Sequence, residues 1–172
     1  MEFTALGRCL PRMSRGFALL LTLFLAACIS DGRSLRPGAD ADAVRADMGT
    51  PALVVPLADG GQAWFYPRGR VGRQTFRAEL GPDGRLRKVE QVLDEAHFDQ
   101  VIAHKTTREE LLAMLGPPVY ELHGSLSKTT DWEYTYYWYA QQPWLVRFGI
   151  DGNGIVTGQT RISELGGPDG RM

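Results

Sequence analysis

A stripe of hydrophobic residues recurs at helical spacing over positions 111–115 of this chain of 172 residues. Thr106 and Thr107 precede the stripe, and each has a glutamate three residues further on, as in the capping box that starts many helices. Gly116 and two prolines follow it, and glycine accepts the left-handed cap whereas proline cannot continue a helix. The pattern therefore predicts a short capped helix.

Two weaker helical patterns lie nearer the N-terminus. Asp40 or Asp42 can cap a helix that ends at Gly49. Another helix is predicted over 94–103, with Asp94 as its cap. The sequence thus predicts one helix early in the chain and two in its second half.

Alternation of hydrophobic and polar residues follows the helical stretches and indicates strands. Asp59-Gly60-Gly61 and the segment 151–154 are tight-turn sequences, and Gln142-Pro143 is predicted as a further turn. A calcium loop at 151–154 is disfavoured because the glutamate that ends such loops is missing. Strands joined by short turns are antiparallel. The predicted strands span 62–67, 73–80, 86–93, 119–124, 131–140, 144–150 and 155–161.

The same order of motifs occurs twice along the chain. Three pairs of similar segments are separated by 67 to 70 residues. The first pair is D-A-V-R-A-D-M-G-T-P at 42–51 and E-E-L-L-A-M-L-G-P-P at 109–118. The second is W-F-Y at 64–66 and W-E-Y at 132–134, and the third is 76–86 and 146–156. A constant order and a nearly constant offset indicate a duplicated unit. We therefore expect an α+β fold of two tandem repeats, each with one or two short helices packed on one face of an antiparallel meander of three to four strands.

This order of motifs resembles the SmpA/OmlA family of BamE-like outer-membrane lipoproteins. The resemblance rests on M-G-T-P at 48–51 before W-F-Y, and on L-G-P-P before W-E-Y in the second copy. It implies repeats over 40–93 and 94–165, and residues 166–172 are predicted to form a flexible tail. It also implies a non-enzymatic, protein-binding accessory in outer-membrane assembly or envelope maintenance.

A tandem of two such units is also similar in architecture to beta-lactamase inhibitory protein. That similarity implies an alternative function, a periplasmic inhibitor or sequestering module that holds an enzyme against its open sheet. Because architecture alone does not determine function, the alternative stays open at this stage.

Residues 1–27 have the pattern of a secretory leader. Three arginines precede an apolar run over 17–27 that is too short for a permanent membrane span. The run ends in Leu25-Ala26-Ala27-Cys28, which resembles a lipobox and implies cleavage before Cys28 and its acylation. A plain signal peptide, with Cys28 present by chance, is the alternative. Ile29 favours localisation at the periplasmic face of the outer membrane. Residues 28–39 are predicted to form a lipidated tether.

The formal net charge is −1 and becomes about −3 without the leader, which carries three arginines and one glutamate. This charge gives no indication of nucleic-acid binding. Basic residues nevertheless concentrate over 68–88. Arg73, Arg77, Arg85 and Arg87 are predicted to be solvated and to contact anionic lipid head groups, which is the basis of a third hypothesis, a lipid-binding accessory.

Residues that could support catalysis or bind a cofactor are sparse. His97, His104 and His123 are not spaced to place two metal ligands on one helix face, so we interpret them as surface or helix-flank residues. Nucleophile elbows, phosphate-binding loops and zinc-protease motifs are absent from the sequence. We expect a protein without a metal or cofactor that is not an enzyme.

The segment D-W-E-Y-T-Y-Y-W-Y at 131–139 is the most aromatic part of the chain. In a strand, Trp132 and Tyr134 share one face and are predicted to fill the core beneath the helices. Tyr137 and Tyr139 point to the other face, and together with Trp144 they are predicted to form an exposed partner-binding surface. Burial of that face between the two repeats is the open alternative.

Overall fold

The computed structural model describes residues 30–124 and 129–164. Its described part has an α+β fold with two four-stranded antiparallel sheets and three short helices. The elements in chain order are α1 (Ala41–Met48), β1 (Leu53–Pro56), β2 (Gln62–Arg68), β3 (Gln74–Leu80), β4 (Leu86–Gln91), α2 (Glu95–Phe98), α3 (Arg108–Leu115), β5 (Tyr120–His123), β6 (Thr130–Trp138), β7 (Gln142–Ile150) and β8 (Val156–Ser163).

The predicted caps fix where α1 and α3 begin. The side chain of Asp40 accepts a hydrogen bond from the backbone N–H of Ala43 at 2.8 Å, and Thr107 and Glu110 form the predicted capping box. Gly49 and Gly116 end the two helices in the left-handed region, with φ of 84° and 80°. These cap predictions are confirmed.

The second helix is shorter than predicted. Asp94 caps it, but α2 ends at Phe98 instead of continuing to residue 103. After Phe98 the chain continues in turns, with the N–H of Val101 donating to the carbonyl of Phe98 at 3.1 Å, and the backbone of His104 then donates to the carbonyl of Val156 at 2.7 Å. The segment before α3 therefore pairs with the start of β8 instead of remaining helical.

Each sheet has its strands in chain order, β1-β2-β3-β4 and β5-β6-β7-β8. Strand β1 was not predicted, because Pro51 precedes it, Pro56 is its last residue, and proline is compatible with a strand only at an edge. The turn predicted at Gln142-Pro143 is wrong: both residues belong to β7, and the chain turns at Tyr139–Gln141.

The helices α2 and α3 lie between the two sheets. Helix α1 packs on one face of the first sheet, with Val44 and Met48 against Trp64 and Tyr66. The opposite face of that sheet contributes Phe65 to the larger core. The buried partners of Phe65 in this core include Phe98, Leu111, Leu115, Trp132, Tyr134, Tyr136 and Phe148. The first sheet therefore contributes side chains to a core on each of its faces, and the prediction that Trp132 and Tyr134 fill the core is confirmed.

The described part of the predicted tether is packed against the first sheet. Leu35 and Ala39 lie against the core beneath α1. The N–H of Gly38 donates to the carbonyl of Leu86 at 2.7 Å, and the N–H of Leu86 donates to the carbonyl of Ala39 at 2.8 Å. Residues 30–39 thus extend the folded unit, whereas Cys28 and the predicted tail at 166–172 lie outside the described residues.

Candidate partner-binding surface

The second sheet has one face toward the helices and one face, here called the outer face, on which none of the described helices packs. The antiparallel register places alternate residues of neighbouring strands on this face. Its partly or fully exposed apolar members are Tyr120, Leu122, Tyr137, Leu145 and Ile162. An open sheet face with several exposed large apolar residues is typical of an interaction surface.

An ion pair occupies the middle of the outer face. Glu133 and Arg147 are cross-strand partners, and the Arg147 Nε donates to Glu133 Oε1 at 2.8 Å. Glu133 is almost fully buried although it lies on the sheet face without helices. The pair satisfies that buried carboxylate, since burial of an unpaired charge is costly.

The turn between β2 and β3 rests on the outer face of the second sheet. The hydroxyl of Thr135 donates to the carbonyl of Val71 at 2.8 Å. The guanidinium of Arg73 lies 5.6 Å from the ring centroid of Tyr137 and forms an ion pair with Glu164. Residues of the first half of the chain therefore line the edge of a surface formed mainly by the second half.

The predicted partner-binding residues do not lie together. Tyr139 is 83% exposed at the tip of the β6–β7 hairpin, and Tyr137 is 36% exposed on the outer face. Trp144 is only 9% exposed, because it pairs with Tyr136 across β6 and β7 and therefore shares the core face. The expectation that Trp144 is part of the exposed surface is wrong.

Other residues of the surface were not predicted. Trp138 is also exposed at the hairpin, but it lies on the core side of the sheet with Tyr136 and packs edge-on against Trp144, with ring centroids 4.7 Å apart. Tyr120 and Leu122 are exposed on β5, and Val71 is exposed in the β2–β3 turn. The alternation within predicted strand 119–124 gives Tyr120 and Leu122 one common face, but only the register with β6 shows which face that is.

The four arginines predicted to contact lipid differ in their surroundings. Arg77 is wrongly predicted as solvated: its side chain is 14% exposed and pairs with Glu79 at 2.9 Å and with Glu90 at 3.1 Å. Arg73 is mostly buried against Glu164.

The two remaining arginines are exposed. Arg87 pairs with Asp59 and Glu79, and Arg85 donates to the carbonyl of Gly38 at 2.9 Å. Hydrogen bonds from the backbone of Gly61 and from Arg87 hold the pKa of Asp59 below its usual value, which keeps this ion pair charged. Three of the four arginines therefore have carboxylate partners within the protein.

A cleft of about 600 Å³ separates the first sheet from α2 and α3. Arg77 and Glu90 line its sheet side, while His97 and Met114 line its helix side. His97 lies within α2 and is partly buried, with its Nδ1 2.7 Å from Asp94 Oδ1, so it does not flank the helix as predicted. Within 30–124 and 129–164, no three His, Cys, Asp or Glu side chains lie together in a geometry for a metal ion.

Comparisons with known proteins do not identify a family. No family profile matches the chain, and no curated protein matches it either. A solved structure of an extracellular protein containing an SCP domain from Bacillus anthracis str. Ames aligns at 14% identity with a TM-score of 0.28, covering 74% of this chain. The alignment spans 44% of that protein's length, and a similarity this low indicates nothing about function.

None of the helices within the described ranges is long and apolar enough to span a membrane. Cys28, the predicted lipidation site, precedes the first described residue by two positions. Any membrane attachment through Cys28 therefore has to be tested biochemically.

Proposed function

We propose that this protein is a non-enzymatic outer-membrane lipoprotein of the BamE (SmpA/OmlA) type, facing the periplasm. It acts as a protein-binding accessory in outer-membrane assembly or envelope maintenance. The observation that carries the proposal is the outer face of the second sheet, where Tyr120, Leu122 and Tyr137 are exposed beside Tyr139. Exposed tyrosines are the side chains most enriched at protein interfaces.

The tandem repeat is part of this proposal. Both halves of the chain run from a helix through a glycine cap to four antiparallel strands in chain order. Gly49 and Gly116 occupy equivalent caps, and the buried Trp64 and Trp132 occupy equivalent positions on the second strand of each sheet. The correspondence supports duplication of one supersecondary unit.

Lipidation at Cys28 is the proposed means of membrane attachment, and the lipobox-like sequence supports it. The test is a Cys28→Ser variant expressed with labelled palmitate. We expect the variant to lose the label and to leave the membrane fraction while it keeps its fold, because Cys28 precedes every described element. Label that persists in Cys28→Ser would refute the assignment.

Partner binding is tested by crosslinking in intact cells followed by purification of the protein from outer membranes. A Tyr137→Ala/Tyr139→Ala variant is expected to lose crosslinked outer-membrane assembly components that the parent recovers. The matched control is Val54→Ala/Ile102→Ala, which removes exposed apolar side chains of the first sheet and the α2–α3 connection. Equal recovery by both variants would exclude the outer face as the site.

The alternative is an inhibitor or sequestering module similar to beta-lactamase inhibitory protein. The observation that favours it is the β2–β3 turn, which overhangs the open sheet and makes the surface concave enough to hold a pocket of about 430 Å³. A panel of purified periplasmic hydrolases, including β-lactamases, is the test. An inhibition constant below 1 μM, abolished by Tyr137→Ala/Tyr139→Ala, would favour the inhibitor over the assembly accessory.

A further inference from the structure

The pocket of about 430 Å³ lies where the β2–β3 turn meets the outer face. Val71, Tyr120 and Leu145 form its apolar walls. Arg70 and Arg73 supply positive charge, and Glu164 supplies one negative charge. The site is thus an apolar pocket with basic side chains at its rim.

The two arginines differ in what they are free to bind. Arg73 pairs with Glu164, lies over the ring of Tyr137 and is largely buried. Arg70 is exposed, and its side chain has no hydrogen bond or ion pair to any residue in 30–124 or 129–164. The pocket therefore has one uncompensated positive charge, supplied by Arg70.

The backbone of the turn is strained. Val71 has φ of 51°, a left-handed conformation that β-branched residues rarely adopt. Gly69 and Gly72 on either side are also left-handed, and the hydrogen bond from Thr135 holds the Val71 carbonyl in place. Such strain persists only where surrounding contacts enforce it, and it is common at binding sites. The contacts of the turn thus hold Val71 in an unfavourable backbone conformation at the rim of the pocket.

We propose that this pocket anchors an acidic segment of the protein partner. A carboxylate of the segment pairs with Arg70, and a neighbouring aliphatic or aromatic side chain packs on Val71, Tyr120 and Leu145. Guanidinium and carboxylate form charge-assisted, often bidentate hydrogen bonds, which favours Asp or Glu at this position. The inference rests on the proposed protein-binding function and specifies the chemistry of the partner.

A membrane surface is the less suitable occupant. Recognition of anionic bilayers usually requires a cluster of about four to eight basic residues, whereas this pocket has a single uncompensated arginine. A concave pocket with apolar walls also fits one protruding side chain better than a planar array of head groups. Charge and shape therefore both favour a peptide segment.

The test selects displayed random heptapeptides for binding to the full-length protein. The protein is expressed in the envelope and purified in detergent. We expect the selected peptides to be enriched in an Asp or Glu next to a large apolar residue. A synthetic copy of the best peptide should bind Arg70→Glu about tenfold or more weakly than the parent. A copy with lysine in place of the acidic residue should bind Arg70→Glu better than it binds the parent.

Arg36→Glu is the matched control, because Arg36 is another exposed arginine without a described side-chain partner and lies on the segment packed against the first sheet. It should bind the peptide as the parent does. Circular dichroism checks that both variants fold.

The inference would be overturned if the selected peptides lacked acidic residues, or if Arg36→Glu weakened peptide binding as much as Arg70→Glu does. Stronger binding after removal of residues 165–172 would also overturn it and would assign the pocket to the chain's own tail. The proposed function has separate readouts, since palmitate labelling and crosslinking through Tyr137 and Tyr139 do not depend on Arg70. If Arg70→Glu leaves peptide binding unchanged in a protein that is lipidated and crosslinks to its partner, only the proposed acidic-segment site is refuted.

Discussion

The phenol of Tyr134 donates a hydrogen bond to the carbonyl oxygen of Gly116 at 3.0 Å. This bond joins the second strand of the second sheet to the residue that ends α3. An added Cβ at Gly116 would lie 2.6 Å from a ring carbon of Phe65 in the first sheet. Tyr134, Gly116 and Phe65 therefore connect the second sheet, the helix layer and the first sheet at one point.

Tyr134→Phe is predicted to destabilise the protein by about 1–3 kcal/mol, because it leaves the buried Gly116 carbonyl without its donor. Urea denaturation followed by tryptophan fluorescence measures the change. Tyr137→Phe is the matched control and should cost less than about 0.5 kcal/mol, since Tyr137 is partly exposed. Equal stabilities of the two variants would contradict a structural role for the bond.

The two glycine caps are predicted to respond differently to alanine. Gly49→Ala places alanine at φ of 84° and ψ of −160°, a backbone region almost restricted to glycine, with open space around its Cβ, so only backbone strain of about 1–3 kcal/mol is expected. Gly116→Ala adds the clash with Phe65, for a total of about 3–5 kcal/mol. Thermal unfolding of both variants compares them directly. A larger loss of stability in Gly49→Ala than in Gly116→Ala would contradict the close contact between Gly116 and the first sheet.

Alkaline pH is predicted to weaken the fold. Burial raises the pKa of Tyr66 from 10.0 to about 12, although Arg45 and Arg68 act in the opposite direction. Because the folded-state pKa is the higher one, the contribution to stability is complete below pH 10 and is lost as the pH rises through 12. Burial raises the pKa of Tyr136 to about 12 as well.

Urea midpoints at pH 9 and pH 11 measure this loss. Tyr66→Phe is the control, since the Tyr66 hydroxyl has no hydrogen-bond partner in the described structure and its removal should be tolerated. The variant should show a smaller loss between the two pH values than the parent. An identical loss would mean that other groups, and not Tyr66, account for the alkaline sensitivity.

Trp144→Ala is predicted to cost about 3–5 kcal/mol, as expected for a large buried aromatic residue. Tyr139→Ala should change stability by no more than about 0.5 kcal/mol, because the side chain is 83% exposed. The melting temperatures of the two variants distinguish core from surface. A stable Trp144→Ala protein would restore Trp144 to the candidate partner-binding surface.

Most of the fold could be predicted from local sequence. Helix caps and their glycine ends are short-range features, and the residues that form them are adjacent in the chain. Strand β1 could not be predicted this way, because its prolines obscure it and its pairing with β2 is what makes it a strand. The segment after α2 pairs with β8, more than 50 residues away in sequence, and the local pattern over 94–103 does not show that pairing.

The candidate site was less predictable than the fold. Tyr137 follows from alternation along β6, whereas Tyr139 is exposed because it lies in the hairpin turn beyond the strand. Trp144 belongs to a neighbouring strand whose register fixes its face. The ion pairs of Arg73 and Arg77 depend on glutamates that only the folded chain brings near. Val71 lies in the first half of the chain and reaches the outer face through the packing of the two halves.

The packing of residues 30–39 on the first sheet leaves little free chain between the predicted lipidation site and the folded unit. Only two residue steps separate Cys28 from Ser30, and two extended residues span about 7 Å at most. An acylated Cys28 would therefore hold the surface near Ser30 and Asp47, which share a backbone hydrogen bond, against the head groups. If Cys28 is acylated as proposed, the folded unit would stay close to the bilayer instead of standing off on a long flexible linker, and neutron reflectometry on supported bilayers can measure its height.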